Sequence, residues 1–366
     1  MELKTKLTAM SFAAVLFGLF LAGVFLPDRD ISTAERRKLA QSPDFSVQTL
    51  LSGKYADDLE TYLLDQFPQR DRFRTLKAAW QFDVYRQKDN NGIYIAGGSV
   101  CKLDSQLKPE QVQAMADKTN SIYERYLQGM TVHFAVIPDK NYFAAAQNGY
   151  PAMDYAELDR LLQGGLNEAI QYHGTAPCKD LTLDDYYRTD LHWRQEHLQS
   201  VVENLAAAMD FTPPDWNAYT QAEHSPFYGA YCGQSALNVG YDALITLSSP
   251  ATDASVVTGA EFTGEKAVYD PADLTALDGY DLYLGGANAI LTVENPAGTT
   301  GKELILFRDS FGSSLAPLLL DSYDKITLID LRYVSPDLLP QFVEFADQDV
   351  LFLYNTGIIN AGMLLK

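Results

Sequence analysis

The chain has 366 residues, of which 47% are hydrophobic and 21% charged, and this ordinary globular composition excludes a largely disordered protein. Its formal net charge of −20 repels phosphate backbones, which excludes nucleic acid as a partner. The three cysteines include no CxxC pair, so we expect no metal site, and nothing in the sequence indicates a cofactor. The length fits one large domain or two modest ones.

The N-terminal segment contains an uncharged apolar run from Leu7 to Leu26. At about 1.5 Å per residue in a helix, this run matches the thickness of a bilayer core. We therefore predict a retained transmembrane signal anchor over residues 7–26, a short cytoplasmic N-terminus of residues 1–6, and a single-pass cell-membrane protein whose soluble domain is extracytoplasmic. Ala22 and Gly23 leave cleavage as a signal peptide open. Basic residues flank the run on both sides, so they do not decide its orientation.

A linker and a helical neck are predicted next. Residues 27–46 contain prolines and no periodicity, which is typical of an extended linker. Apolar residues then recur at helical spacing over 47–66, and a second helix is predicted over 70–87. We interpret residues 47–90 as a helical neck. The segment 92–98 predicts a short strand that ends in a glycine turn.

The middle of the chain predicts helices around one buried strand. The strand is the apolar run 131–137, which ends at Pro138. The helices are predicted over 108–128, 154–171 and 194–209.

Residues 212–300 differ from the rest, because they are rich in Gly, Thr, Ser, Ala and Asp and contain only short strand-like runs. We predict an irregular, β-rich insertion there. The last third alternates regularly, with strands predicted at 303–307, 325–331 and 349–354 and helices at 313–320 and 336–345. Apolar strands that alternate with helices indicate an α/β fold in which helices cover a parallel central sheet.

A candidate nucleophile follows the predicted strand 303–307. Ser310 stands where this strand turns into a helix, at the edge where open α/β sheets place their sites. The N–H groups of Phe311 and Gly312 would then point at an oxyanion at the helix N-terminus. The alternative is a helix N-cap, since Asp309 and Ser310 are both capping residues. The segment alone favours the cap, because caps are common and nucleophiles are rare.

A candidate base and its partner lie in the segment Thr189–Trp193. Residues two apart in an extended stretch face the same way, so Asp190 can orient His192 and favour its protonated form. Trp193 would face the other way and anchor the segment. The alternative is a surface histidine near a helix start, with Asp190 as a local cap, and the segment alone favours that alternative.

Five sequence landmarks, in chain order, favour the catalytic interpretation of Ser310 and His192 over the structural one. They are Asp65–Arg70 (Asp-Gln-Phe-Pro-Gln-Arg), Ala135–Lys140 (a strand that ends in Pro-Asp-Lys), Asp190–Trp193 (Asp-Leu-His-Trp), Asp309–Phe311 (Asp-Ser-Phe) and Val350–Asn355. In these landmarks the chain resembles the DHHW protein family. It is also similar to the SGNH-hydrolase-like proteins of bacterial exopolysaccharide O-acetylation, the alginate acetylation proteins among them.

The resemblance implies a three-layer SGNH-like domain over residues 47–366. It also implies a catalytic triad in which Ser310 is the nucleophile, His192 the base and Asp190 the residue that orients the base. The activity implied is that of an O-acyl (acetyl) transferase or esterase acting on cell-surface polysaccharide. A polytopic membrane-bound O-acyltransferase is implied as the supplier of acyl groups, and no soluble cofactor is implied.

Two departures from the family's pattern keep other functions open. Leu191 stands where the name-giving motif has a second histidine, and Arg308 stands where classical SGNH enzymes have glycine, which reduces the backbone room at the nucleophile. Both favour a non-catalytic glycan-binding or scaffold protein with a degenerate SGNH fold. A third hypothesis is a hydrolase that only removes acetyl groups. Arg332 and Asn355, which follow predicted strands of the same sheet, are candidates for oxyanion or substrate binding and equally for a structural role.

Overall fold

The computed structural model describes residues 2–275 and 277–366. The chain divides into two compact units, which we call the N-terminal unit and the α/β unit. The N-terminal unit comprises residues 1–91 and 232–238, and the α/β unit comprises residues 92–231 and 239–366.

The N-terminal unit is mainly helical and contains one two-stranded antiparallel hairpin. Its elements are α1 Glu2–Phe25, β1 Ile31–Ser32, β2 Arg37–Lys38, α2 Val47–Leu51, α3 Lys54–Asp65 and α4 Arg70–Ala79. The single helix predicted over 47–66 is interrupted, because Gly53 adopts a left-handed conformation (φ 80°) between α2 and α3. The α-helix predicted over 70–87 ends at Ala79 and continues as one π-helical turn, Trp80–Val84.

Helix α1 is uncharged and mainly apolar from Leu7 to its end. Residues Leu3–Phe25 are long and apolar enough to cross a membrane, and the side chains of this segment are exposed rather than packed in a core. A helix of this kind near the N-terminus fits a single-pass membrane anchor or a signal sequence. It includes most of the span predicted over residues 7–26.

The first sequence landmark has a structural role within the N-terminal unit. The Asp65 carboxylate accepts two hydrogen bonds from the Arg37 guanidinium, at 2.8 and 2.6 Å. This pairing with Arg37 is the main reason that the pKa of Asp65 falls to about 2. Arg70, at the other end of the landmark, forms an ion pair with Glu35 at 2.5 Å. The landmark therefore joins the β1–β2 hairpin to α3 and α4.

A seven-stranded, mostly parallel sheet forms the centre of the α/β unit. The strands of this unit are β3 Ile93–Ala96, β4 Ser99–Lys102, β5 Val132–Ile137, β6 Gln171–Gly174, β7 Thr220–Phe227, β8 Asp242–Ser248, β9 Val256–Gly259, β10 Ile290–Glu294, β11 Glu303–Arg308, β12 Lys325–Ile329 and β13 Asp349–Asn355. The order in the sheet is β6-β5-β13-β11-β12-β10-β9. The first five strands are parallel, β10 is antiparallel to β12, and β9 is antiparallel to β10. Strands β3 with β4, and β7 with β8, form separate hairpins.

Helices follow the strands along the rest of the chain. They are α5 Pro109–Ile122, α6 Lys140–Ala144, α7 Tyr155–Gly165, α8 Gln199–Met209, α9 Ala230–Ser235, α10 Pro250–Ala254, α11 Phe311–Leu315 and α12 Thr356–Ile359. Alternate residues of the strands face opposite sides of the sheet. In β5, Phe134 and Val136 belong to the same core as α5 and α7, while Ala135 and Ile137 belong to the core of α8 and α11. The result is the three-layer α/β architecture that the sequence predicts.

Two predictions for the α/β unit are corrected by the structure. Residues 212–300 are not wholly an insertion, because β9 and β10 lie within them and complete the central sheet. Strand β9 has four residues in a Gly- and Thr-rich context, too short to give a clear periodicity. The helix predicted over 154–171 ends at Gly165, residues 166–170 form a turn, and Gln171 already begins β6, the edge strand of the sheet.

Candidate active site

Residues Arg308–Phe311, which we call the nucleophile turn, join the central strand β11 to helix α11. Strand β11 lies between β13 and β12, so the turn is at the carboxyl edge of the parallel part of the sheet. Ser310 has helical backbone angles (φ −62°, ψ −22°), and its side chain makes no capping hydrogen bond to the helix. The hydroxyl is therefore not an N-cap, the alternative that the sequence left open.

The Ser310 hydroxyl meets the imidazole of His192. Ser310 Oγ is 2.7 Å from His192 Nε2, and His192 Nδ1 is 2.6 Å from Asp190 Oδ1. An ionised carboxylate only accepts hydrogen bonds, so Nδ1 carries the hydrogen and Nε2 is left to accept from the serine hydroxyl. The structure brings together the three residues that the sequence predicts as a triad, in the order that a serine nucleophile and its base require.

Residues Tyr187–Trp193, which we call the Asp-His loop, carry the other two groups. Asp190 and His192 are almost fully buried, with 0% and 4% of their surfaces exposed. Asp190 Oδ1 also accepts the backbone N–H of His192 at 3.0 Å, and Oδ2 accepts the N–H of Ala230 at 2.8 Å. Both carboxylate oxygens thus have donors, which fixes the carboxylate plane against the imidazole.

A tyrosine covers one face of the imidazole. The rings of Tyr280 and His192 are stacked, with centroids 3.7 Å apart and planes 7° from parallel. The Tyr280 hydroxyl donates to Ser314 Oγ in α11 at 2.8 Å. Burial raises the pKa of Tyr280 well above its usual value, so the phenol stays neutral. The stack limits rotation of the imidazole and excludes water from that face.

Trp193 ties the Asp-His loop to the helix that follows the nucleophile. Its indole is fully buried and donates from Nε1 to Ser314 Oγ at 2.9 Å. It also makes an edge-to-face contact with the Phe311 ring, with centroids 5.4 Å apart. Trp193 therefore lies behind the site, where it sets the distance between the loop and α11.

Lys140, the last residue of the landmark Ala135–Lys140, holds the Asp-His loop through contacts with its backbone carbonyl oxygens. Its ammonium group is buried and lies 2.6 Å from the carbonyl oxygen of Val100, 2.8 Å from that of Tyr187, and 3.1 Å from those of Arg188 and Asp190. A buried ammonium is tolerated only when hydrogen-bond acceptors surround it. Lys140 therefore gathers the backbone of the loop around one positive charge.

Asp242, at the start of β8, supports the same loop. Its carboxylate accepts the backbone N–H groups of Arg188 and Thr189, at 3.0 and 2.8 Å, and the Thr189 hydroxyl at 2.5 Å. The chain also passes very close at Gly229, where an added Cβ would lie 2.3 Å from the Thr189 carbonyl carbon. Only glycine permits this approach.

The predicted oxyanion donors Phe311 and Gly312 are engaged within the turn. The N–H of Phe311 donates to Asp309 Oδ1 at 3.0 Å, and the N–H of Gly312 donates to the Asp309 carbonyl oxygen at 3.1 Å. Asp309 Oδ2 accepts the N–H of Asn355 at 2.7 Å, which joins the turn to the end of β13. Burial raises the pKa of Asp309. Asp309 thus shapes the turn through hydrogen bonds to the backbone.

Arg332 and Asn355 line the same cavity as Ser310, which has a volume of about 320 Å³. The Arg332 guanidinium is held by Asp330 through two hydrogen bonds, at 2.9 and 2.6 Å. Burial opposes the charge of Arg332, but the bonds to Asp330 raise its pKa above the usual value. The Asn355 amide donates to the Ile137 carbonyl oxygen at 3.2 Å. Both groups have further N–H hydrogens, so both remain candidates for binding a substrate oxygen.

Arg308 does not obstruct the nucleophile. Its side chain is 1% exposed, is absent from the residues that line the Ser310 cavity, and approaches Asp330 at 3.6 Å. The backbone room comes from Gly312, because an added Cβ there would lie 2.7 Å from the Arg308 Cβ. Within residues 2–275 and 277–366, Nε and Nη2 of Arg308 have no hydrogen-bond partner. Burial accordingly lowers the pKa of Arg308.

Sequence reasoning did not find Tyr280, Asp242 or the role of Lys140. Tyr280 lies in the irregular segment and has no motif around it. Lys140 was visible as a landmark, but its contacts to carbonyl oxygens leave no trace in the side-chain pattern. In the described part of the chain, no group of three or more His, Cys, Asp or Glu residues is placed to hold a metal ion.

The fold is an SGNH-like α/β fold, and the chain shares it with solved structures. The crystal structure of a DHHW family protein from Eubacterium siraeum matches with a TM-score of 0.61 and 19% identity, over 75% of this chain and 95% of that chain. Bacillus cereus PatB1 matches with a TM-score of 0.58 and 16% identity, over 74% of this chain and 98% of that chain.

One further match to a solved structure is weaker. The O-acetyltransferase domain of Pseudomonas putida AlgJ matches with a TM-score of 0.44 and 11% identity, over 74% of this chain and 92% of that chain. No protein-family model and no curated protein matches the sequence. The predicted resemblance to the DHHW family is therefore matched by a solved structure and not by a family model or a curated protein.

Proposed function

We propose that the chain is an extracytoplasmic acyl-transfer enzyme, an O-acetyltransferase or esterase of cell-surface polysaccharide. The observation that carries the proposal is the continuous hydrogen-bond chain from Ser310 Oγ through His192 to Asp190, with steps of 2.7 and 2.6 Å. A serine hydroxyl with only a structural role has no need of a buried imidazole that a carboxylate orients. The setting at the carboxyl edge of a parallel sheet supports the same conclusion.

In the first half of the reaction, Ser310 Oγ attacks the carbonyl carbon of an acyl ester. Its proton passes to His192 Nε2, and the imidazolium that forms is stabilised by the Asp190 carboxylate. The oxyanion of the tetrahedral intermediate needs hydrogen-bond donors, and the free N–H groups of Arg332 and Asn355 are the candidates that line the cavity. When the intermediate collapses, the leaving alkoxide takes the proton from His192, and the acyl group stays on Ser310.

In the second half, the acceptor decides the product. A sugar hydroxyl gives its proton to His192 Nε2 and attacks the acyl-serine, which yields the acylated sugar and restores the Ser310 hydroxyl. Water in the same position gives the free acid, which is the esterase reaction. The stacked Tyr280 closes one face of the imidazole, so the acceptor has to approach from the open side of the cavity.

The membrane position supports a surface substrate. Helix α1 is the proposed single-pass anchor, with the α/β unit outside the cytoplasm. Acyl donors are made in the cytoplasm, so an extracytoplasmic enzyme needs a route for acyl groups across the membrane. A membrane-bound O-acyltransferase that passes acyl groups to Ser310 is the proposed partner, and radiolabelled acetyl on Ser310 after co-reconstitution of the two proteins tests it.

The test of the function uses the full-length chain in detergent micelles. Hydrolysis of 4-nitrophenyl acetate is followed for the parent protein, for Ser310→Ala, and for Ser313→Ala as a matched serine in the same helix. We expect Ser310→Ala to lose about 10³-fold or more in turnover, because it removes the nucleophile, and Ser313→Ala to stay close to the parent. A fluorophosphonate should label the parent at Ser310 and leave Ser310→Ala unlabelled.

Two outcomes contradict the proposal. If Ser310→Ala hydrolyses the ester as fast as the parent, Ser310 is not the nucleophile. If neither protein reacts with ester or fluorophosphonate, the serine is not activated, and the alternative of a non-catalytic glycan-binding protein with a degenerate SGNH fold takes its place. Product analysis with a polysaccharide acceptor present separates transfer from simple removal of acetyl groups.

A further inference from the structure

A second cavity lies beside the Ser310 cavity in the α/β unit. Its volume is about 610 Å³, within the range of about 300–1,000 Å³ that is typical of ligand sites. Its lining includes three tyrosines together with polar groups: Tyr142, Tyr155, Tyr172, Asp159, Gln163 and His173. None of the proposed reaction steps uses these residues.

One carboxylate forms the wall between the two cavities. Asp139 lines the Ser310 cavity, and its Oδ1 accepts the Tyr155 hydroxyl at 2.8 Å. Its Oδ2 accepts the Thr356 hydroxyl at 2.8 Å. Tyr155 and Thr356 both line the second cavity. The two cavities are therefore neighbours on the carboxyl edge of the sheet, and residues of α6 and α12 line both of them.

The lining of the second cavity indicates an uncharged ligand with hydroxyl groups. Its lining residues, all in the described part of the chain, include no Lys or Arg and a single acid, Asp159, which accepts the Tyr172 hydroxyl at 2.7 Å. Burial lowers the pKa of His173, which keeps its imidazole neutral. Without a cation, the cavity offers nothing to a carboxylate or phosphate. Ser310's cavity differs, because it contains Arg332.

The tyrosine rings of the second cavity provide an apolar surface that complements its hydrogen-bonding groups. Tyr142 is 43% exposed and makes an edge-to-face contact with Tyr155, with centroids 5.0 Å apart. An exposed ring supplies an apolar surface for the C–H face of a pyranose, while Gln163 and Asp159 supply hydrogen bonds to hydroxyls. A site of this kind is fitted to a sugar ring rather than to an aliphatic chain.

We propose that the second cavity is the subsite for a neutral pyranose unit of the acceptor polysaccharide, adjacent to the unit that is acylated at Ser310. This inference rests on the proposed function for its biological meaning, but binding of the sugar can be measured without catalysis. Tyr142 is the residue whose contribution is most easily removed, because it is exposed and its loss leaves the core intact.

The experiment measures sugar binding and acyl transfer on the full-length chain in detergent micelles. The probes are cellotetraose and N-acetylchitotetraose as neutral sugars and tetragalacturonate as the charged comparison. Saturation-transfer NMR gives binding, and acetylation of the sugar with 4-nitrophenyl acetate as donor gives the KM of the acceptor. The variants are Tyr142→Ala, Tyr142→Trp to restore a ring, and Tyr85→Ala as an exposed tyrosine of the N-terminal unit.

The expected result is binding of at least one neutral tetrasaccharide and none of tetragalacturonate. Tyr142→Ala should weaken binding and raise the acceptor KM about tenfold, while ester hydrolysis without sugar stays within about twofold. Tyr142→Trp should restore binding, and Tyr85→Ala should have no effect. The inference is overturned if no neutral sugar binds, if tetragalacturonate binds better, or if Tyr142→Ala changes nothing. Tyr142-dependent binding without any ester turnover would keep the subsite and remove the proposed function instead.

Discussion

Ser310 Oγ and His192 Nε2 are 2.7 Å apart, but the two segments that carry these residues are held in place by different contacts. The nucleophile turn follows directly from a buried central strand and enters a helix, so its position is set by regular neighbouring structure. The Asp-His loop has no regular structure of its own. It is held by Lys140, by Asp242 and by the N–H of Ala230, all of which lie outside it.

The position of the nucleophile turn is determined by residues next to it in sequence, whereas the position of the Asp-His loop is determined by residues distant in sequence. The turn tolerates an unusual residue, Arg308, because the strand and Gly312 fix its backbone. The loop depends on hydrogen bonds to its carbonyl and N–H groups, each of which must be satisfied when buried. We therefore expect a substitution of a residue that supports the loop from a distance to lower activity more than a substitution in the turn next to Ser310.

The largest effect should come from the loop's own carboxylate. Asp190→Asn leaves one acceptor oxygen in place of two, so the side chain can no longer accept from both His192 and Ala230 and no longer forces the hydrogen onto His192 Nδ1. We expect ester hydrolysis to fall by roughly 10³–10⁴-fold, as the wrong tautomer does in such triads. The thermal unfolding temperature should also fall, because one buried N–H loses its acceptor. Initial rates and a thermal melt measure both. A loss of less than tenfold would mean that Asp190 does not orient the base.

The second prediction concerns the support at Lys140. Lys140→Met removes the ammonium group that contacts the buried carbonyl oxygens of Val100, Tyr187 and Asp190, and a buried carbonyl oxygen left unsatisfied costs about 1–3 kcal/mol. We expect a lower free energy of unfolding, and a fall of about 100-fold in the rate of fluorophosphonate labelling of Ser310 at a temperature where the variant is folded.

The control for this prediction is Lys179→Met, since Lys179 is an exposed lysine. It should change stability by no more than about 0.5 kcal/mol. Labelling of folded Lys140→Met at the parent rate would show that Lys140 stabilises the fold without positioning the loop.

The third prediction concerns the close approach at Gly229. The Cβ of Gly229→Ala would lie 2.3 Å from the Thr189 carbonyl carbon and 2.5 Å from the Asp190 nitrogen, so the loop backbone has to move. We expect a fall of about tenfold or more in ester hydrolysis, because a shift of about 1 Å at the base misplaces the proton transfer. Gly164→Ala is the control, because a Cβ at Gly164 in α7 meets no atom within 4 Å. Equal activity of both variants would contradict the rigid loop.

The smallest effect is expected next to the nucleophile itself. Arg308→Met replaces a buried guanidinium, two of whose nitrogens have no hydrogen-bond partner in the described part of the chain, by an apolar side chain of similar length. Removal of one partner of a buried ion pair is costly when the other charge is left alone, but Asp330 keeps its two hydrogen bonds from Arg332 after Arg308 is replaced. We expect ester hydrolysis to stay within about threefold of the parent, with denaturant unfolding at an equal or higher midpoint. A loss as large as that of Lys140→Met would reverse the ranking of the two segments.

The sequence was sufficient for the parts of the site that depend on local pattern. The apolar run before Ser310 and the helix after it predicted the strand and the turn, and the spacing of Asp190 and His192 predicted that both side chains face one way. The contacts that fix the loop were not predictable, since Lys140 and Asp242 are about 50 residues away from it and use backbone atoms. Tyr280 belongs to a segment without periodicity, so no pattern placed its ring on His192.

The same distinction between local sequence pattern and distant contacts explains which strands of the sheet were predicted. Long apolar strands in the last third predicted the parallel core of the sheet. Strands β9 and β10 were assigned to an insertion, because they are short, antiparallel and surrounded by Gly, Thr and Asp residues. Their place at the edge of the sheet is decided by the pairing of β10 with β12 and of β9 with β10, contacts that the local sequence does not encode.

The wide separation of the contacts around the Asp-His loop has a consequence for the order of folding. Lys140 precedes the loop, Asp242 follows it, and Ser310 lies 118 positions after His192. Contacts between distant positions form late, because closing long loops costs entropy before any contact compensates for it. A chain that emerges from its N-terminus therefore gains a reactive serine only when almost all of it has emerged and folded. We expect nascent chains and C-terminally clipped fragments to react with neither acyl esters nor a fluorophosphonate.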